Sequence, residues 1–113
     1  MSARIVSLSI DPREVLELSM GEIDGDLIHS DYCDIDQGRG FGYMVYEHIH
    51  KRENRPMMLM IHVENVHGTT RATILASPEA EDWTHPFDCE EENEWMDKIM
   101  EVLEEYIIDI SEA

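Results

Sequence analysis

Residues 57–63, "MMLMIHV", leave few options for the local fold. Read at the two-residue period of a strand, Met57, Leu59, Ile61 and Val63 fall on one side, and Met58 and Met60 on the other. A strand in a sheet with one wet face alternates apolar and polar residues. This one is apolar on both sides for most of its length. It therefore belongs inside a sheet, with something lying against each face.

The strand before it, residues 42–50, splits the same way. Phe41, Tyr43, Val45, Glu47 and Ile49 share one side; Met44, Tyr46, His48 and His50 share the other. The side carrying Met58 and Met60, with Met44 and Tyr46, is the candidate surface for a partner or ligand, because methionine adapts to irregular apolar contacts. Ordinary core packing is the competing account of such a stripe.

Around this pair the remaining elements follow from period and punctuation. Residues 4–10 alternate as a half-buried strand. Asp11 and Pro12, with Glu14 three after the cap, start a helix over 12–20. Residues 27–35 form a weaker strand, 36–42 a glycine-bearing turn, 51–56 a polar loop and 69–77 a further strand. The loop over 78–87 has two prolines and no period. Asp88 and Glu91 form a capping box. A helix of about 20 residues follows it, roughly 30 Å long, with Trp95, Ile99, Val102, Leu103, Tyr106 and Ile110 on one stripe widened by Met96, Met100 and Ile107. The order β-α-β-β-β-β-α predicts a single α+β domain over 1–113: an antiparallel sheet of about five strands with the long C-terminal helix packed on one face.

Charge narrows the partners. The 26 acidic and 8 basic residues give −18, which opposes nucleic-acid phosphates and anionic membranes, so direct binding to either is not expected. The acidity suits a well-solvated surface. It would also suit a mimic that offers carboxylates in place of phosphates, or weak binding of divalent cations. Two cysteines, Cys33 and Cys89, make no disulfide framework. The first residues lack an apolar signal core and no run reaches membrane-spanning length, so a cytoplasmic location is expected.

His48 and His50, two apart on one strand, share a face. With His62 nearby they would supply three imidazoles, enough for zinc, although generic spacing fits surface histidines equally. Arg52 and Arg55 sit with Lys51 in the 51–56 loop, a possible anion or carboxylate grip and equally a solvated turn that blocks edge pairing. No catalytic motif is present. "GRGFG" at 38–42 lies between strands and does not open a helix, so it is no phosphate cradle. Carboxylates around Cys33 disfavour its thiolate. No cofactor and no catalytic residue is expected.

The block from Tyr43 onward, with Val45, Tyr46 and Glu47 on a strand, Arg52 and Arg55 in the turn and the apolar strand 57–63, resembles a small family of uncharacterised bacterial α+β domains. The resemblance spans about residues 43–110. Members carry a glycine-rich stretch after the last strand, where this chain has "SPEAED" at 77–82. The resemblance implies an intracellular α+β protein and supplies no catalytic residues. The leading expectation is a non-enzymatic binding domain, homodimeric or with another protein partner. The alternatives are a small-molecule or metal-binding domain, with a cleft between sheet and C-terminal helix, and an acidic nucleic-acid mimic.

Overall fold

The structure is a computed structural model and describes residues 2–23, 25–49, 56–78 and 89–112. In chain order it contains β1 (Ser2–Leu8), α1 (Pro12–Met20), β2 (Asp26–Asp36), β3 (Arg39–Ile49), β4 (Pro56–Glu64), β5 (Thr70–Pro78), α2 (Cys89–Leu103), a short 3-10 turn (Glu104–Tyr106) and β6 (Ile107–Glu112). The strands form one antiparallel sheet in the order β2-β3-β4-β5-β1-β6. The domain is α+β, as the element order predicts.

The C-terminus corrects the sequence reading. The final helix has 15 residues and ends at Leu103. Ile107 and Ile110, placed above on its apolar stripe, belong to a sixth strand. Two causes act together. Residues 107–110 contain three isoleucines, whose branched side chains favour strands. The last turn of α2 has no basic residue, and Glu101, Glu104 and Glu105 crowd the negative end of the helix dipole. Leu103 is fully buried and closes the inward face. The backbone N–H of Ser9 donates to the Tyr106 carbonyl at 2.9 Å, tying the turn to the end of β1, and β6 then pairs along β1 with a bulge beside Ser7 and Leu8.

Pro12 takes the first position of α1 and Asp11 the cap position, but the Asp11 side chain makes no capping bond. The first helical bond is the Val15 N–H to the Asp11 carbonyl, at 3.1 Å. The turn between β2 and β3 is shorter than the predicted 36–42. Only Gln37 and Gly38 lie between the strands, both with positive φ, 53° and 78°. That is the primed two-residue turn whose twist matches the strands it joins. Arg39, Gly40 and Phe41 already belong to β3.

Register decides which residues meet. Tyr46, Leu59 and Ala76 form one cross-strand row, Met44, Ile61 and Ile74 the next, and Val63, Ala72 and Val6 a third. These residues are all buried, and with Val15 and Leu16 of α1 and Trp95, Met96, Ile99 and Leu103 of α2 they form one core. Both helices therefore cover the same face of the sheet. Arg4 also points to that side and pairs with Asp97 of α2.

Candidate functional site: the open sheet face and a groove beside helix α1

The other face carries no described helix. On β4 the burial alternates strictly: Met57, Leu59, Ile61 and Val63 are buried, while Met58, Met60, His62 and Glu64 are half-exposed. The expectation that 57–63 is covered on both sides thus holds for one side of the isolated chain. On the other, no helix among the described residues lies over Met58 and Met60.

The same register separates residues that the sequence grouped. Met44 pairs with Ile61 and Tyr46 with Leu59, so both lie beneath the helices, at 0% and 3% exposure. The surface of Met58, Met60, Tyr46 and Met44 proposed above is therefore corrected: only the first two share the open face. A register offset of one residue exchanges the faces of a strand, and nothing in the sequence of a doubly apolar strand fixes that offset. The neighbours of Met58 and Met60 across β3 are Glu47 and Val45.

Extending the rows gives the composition of the open face. His29, Val45, Met60, Leu75 and Ala3 lie side by side across five strands. Asp31, Tyr43, His62, Thr73 and Ile5 form the adjacent row. Charges gather toward the ends: Glu47 beside Met58, and Glu64 beside Arg71 with Asp109 further along. Tyr43 Oη lies 2.7 Å from Nδ1 of His29, and the two rings meet edge to face at 5.3 Å. The arrangement is an apolar centre with a polar rim.

The histidines do not converge. His48 pairs with Met57 and lies on the helix side, its ring 5.2 Å from Trp95. His62 is on the open face. His50 lies outside the described residues, as do Lys51, Arg52 and Arg55, so their metal and anion roles rest on sequence alone. Among the described residues no three His, Cys, Asp or Glu side chains gather as metal ligands. Trp95 is 5% exposed, and its indole N–H has no hydrogen-bond partner among the described residues. Cys33 is an exposed free thiol on edge strand β2. Carboxylates occur on α1 (Glu14, Glu17), on α2 (Glu94, Asp97, Glu101), on both edge strands and at the rim of the open face. No helix among the described residues is long and apolar enough to cross a membrane.

Two of the hollows formed by the described residues lie away from the open face. The first, of about 350 Å³, runs between α1 and the β2–β3 hairpin, beside the first helix. Arg13, Leu16, Glu17 and Met20, at the i, i+3, i+4, i+7 spacing of one helix flank, form a wall of it. Met44 is its floor, with Ser30 and Tyr32 opposite. The second, of about 310 Å³, lies at the C-terminal end of β1, beside Asn65 and Thr70.

Tyr32 is held by the glycines that the sequence suggested were turn residues. A Cβ on Gly42 would meet the Asp31 carbonyl at 2.7 Å, Tyr32 Cδ2 at 2.7 Å and Leu16 Cδ1 at 2.9 Å; one on Gly40 would run into the Tyr32 hydroxyl. The phenol lies flat over bare backbone, an aromatic covering strand glycines. The Arg13 guanidinium stacks above its ring at 4.7 Å from the centroid and donates through Nη2 to Asp34 at 2.8 Å. Burial raises the Tyr32 pKa, with the Asp34 charge adding to it and Arg13 opposing. Burial alone raises that of Tyr46. Gly42→Ala is expected to destabilise the protein by about 1–3 kcal/mol, since one of the three clashing groups, the Asp31 carbonyl, is backbone of the β2 ladder and cannot swing aside. Urea unfolding at fixed protein concentration measures it, and an unchanged midpoint would show that the strands shift freely.

The groove residues were missed by the sequence reading. The signals available were the flank spacing on α1 and two glycines at alternate positions of a strand. No protein-family model matches this chain, and neither curated proteins nor solved structures yield a similar one.

Proposed function

We propose that this chain is a non-enzymatic binding domain that works as a homodimer, two copies stacking the open faces of their sheets. The observation that carries the reading is the neutral row Val45, Met60 and Leu75, with Met58, Ile5 and Tyr43 beside it, half-exposed at the centre of a face with no described cover. A central apolar patch with a charged rim is the anatomy of a protein interface. Size agrees. Six strands at about 4.8 Å spacing and a nine-residue β4 at about 3.3 Å per residue outline roughly 700 Å², close to the ~800 Å² per partner of a standard interface. Two such faces pack about 10 Å apart as a β-sandwich. A second copy fits because the contact is symmetric and its centre is uncharged, so like meets like without opposed charges. The reading accords with the resemblance of residues 43–110 to domains without assigned catalysis.

Sedimentation velocity over a micromolar concentration series tests it. The expected result is a dimer that tightens as salt is raised, because each copy carries −18 and screening relieves the repulsion between them. A monomer at high micromolar concentration, in low and high salt alike, would overturn it.

A further inference from the structure

The groove beside α1 is on the opposite side of the sheet from the proposed pairing face, and its chemistry is different. Its floor and inner wall are apolar: Met44 is fully buried, Leu16 is 6% exposed, and Met20 extends the wall at 46% exposure. Its volume of about 350 Å³ is at the lower end of small-molecule sites, which run from about 300 to 1,000 Å³. Three charged residues line it: Asp31, whose place in the sheet is the open-face row with Tyr43 and His62, and, on the helix side, one cation and one anion, Arg13 and Glu17, four residues apart on a single helix flank and so about one turn from each other.

Those two charges do not neutralise each other. Arg13 reaches across to Asp34 on β2 and is steadied on the Tyr32 ring, which draws its guanidinium toward one end of the groove. Glu17 has no ion-pair partner among the described residues. Arginine carries five N–H donors, and the bond to Asp34 takes one from Nη2. Ser30 adds a hydroxyl on the facing strand. The groove thus presents separated opposite charges above an apolar floor.

That pattern selects against singly charged ligands. A simple anion meets Glu17 and the field of a chain at −18. A simple cation meets Arg13. A ligand carrying both charges, with an apolar tail, satisfies both and covers Leu16, Met20 and Met44. We propose that the groove between α1 and the β2–β3 hairpin binds a small zwitterion of the apolar α-amino-acid class, its carboxylate on Arg13, its ammonium on Glu17 and its side chain on the methionine floor.

Isothermal titration of the full chain with L-leucine tests this, alongside isoamylamine and 4-methylpentanoate, which each keep the tail and one charge. L-leucine is expected to bind roughly tenfold or more tighter than either analogue, the worth of one charged hydrogen bond. Glu17→Gln should abolish its advantage over 4-methylpentanoate, and Arg13→Gln its advantage over isoamylamine. Lys98→Gln, an exposed change on α2, should leave all three unchanged. Glu17 is exposed on α1, so its variant is expected to fold, which near-ultraviolet circular dichroism checks. Absence of saturable heat with L-leucine at millimolar concentration, equal binding of a single-charge analogue, or variants that leave the preference intact would each overturn the proposal.

Discussion

Met60→Glu is expected to leave a folded monomer. Met60 is at the middle of the open face, flanked by Val45 on β3 and Leu75 on β5. It is half-exposed in the isolated chain, so a carboxylate there stays in water and the core beneath, built by Leu59 and Ile61 pointing the other way, is untouched. Stability of the single chain should move by no more than about 0.5 kcal/mol. Pairing should suffer much more. A two-fold interface presents the substitution twice, and each carboxylate would be drawn out of water opposite an apolar neighbour. Like charges brought together across an interface cost several kcal/mol, so the dimer should weaken by about a hundredfold or more. Sedimentation of wild type and variant at equal concentration separates the outcomes. A variant that dimerises as well as wild type places any self-association elsewhere and removes the open face as its cause. A variant that fails to fold would show that Met60 is core, and Met58→Gln, at the end of the same stripe beside Glu47, then becomes the informative change: it too should loosen the dimer with folding intact.

The particular residues involved explain what the sequence showed and what it hid. Local signals carried far. The apolar run 57–63, Pro12 after Asp11 and the β-formers of 42–49 placed β4, α1 and β3 within a few residues, because composition and punctuation are properties of short stretches. The offset between β3 and β4 was hidden. Both strands are apolar on both sides, so either alignment buries a plausible set, and Met44 and Tyr46 went to the wrong surface until their pairing with Ile61 and Leu59 was known. The end of α2 was hidden for a related reason. Ile107 and Ile110 satisfy a helical stripe and a strand equally well, and the vacant edge of β1 decides between them. Site geometry was hidden most, since the groove depends on Tyr32 of β2 crossing Gly40 and Gly42 of β3 beneath a side chain of α1. Three elements meet there, and no short window of sequence contains them.

The largest single-residue loss of stability outside the core is expected at Asn65, which joins two hairpins. Its backbone N–H donates to the Gly40 carbonyl at 3.2 Å and its own carbonyl accepts from the Gly68 N–H at 2.9 Å. Its side chain completes the junction: Oδ1 accepts from the Gly40 N–H at 2.8 Å, and Nδ2 donates to the Gly38 carbonyl at 3.0 Å. The residue is 8% exposed and follows directly on β4, so it fastens the β2–β3 turn to the β4–β5 turn. In Asn65→Ala the Gly38 carbonyl is exposed and can turn to water, but the Gly40 N–H is buried and loses its acceptor. A buried donor left unmade costs about 1–3 kcal/mol, and the second bond adds about 0.5–1.5 kcal/mol. A loss of about 2–3 kcal/mol is therefore expected, read from urea unfolding at one fixed protein concentration so that self-association does not enter the comparison. Val66→Ala, one residue on and 37% exposed, should change stability by no more than about 0.5 kcal/mol. Hydrogen exchange adds a local reading, because the Gly40 amide should lose protection beyond the global change. If Asn65→Ala costs no more than Val66→Ala, the two turns hold their positions through the ladders alone and the amide is incidental.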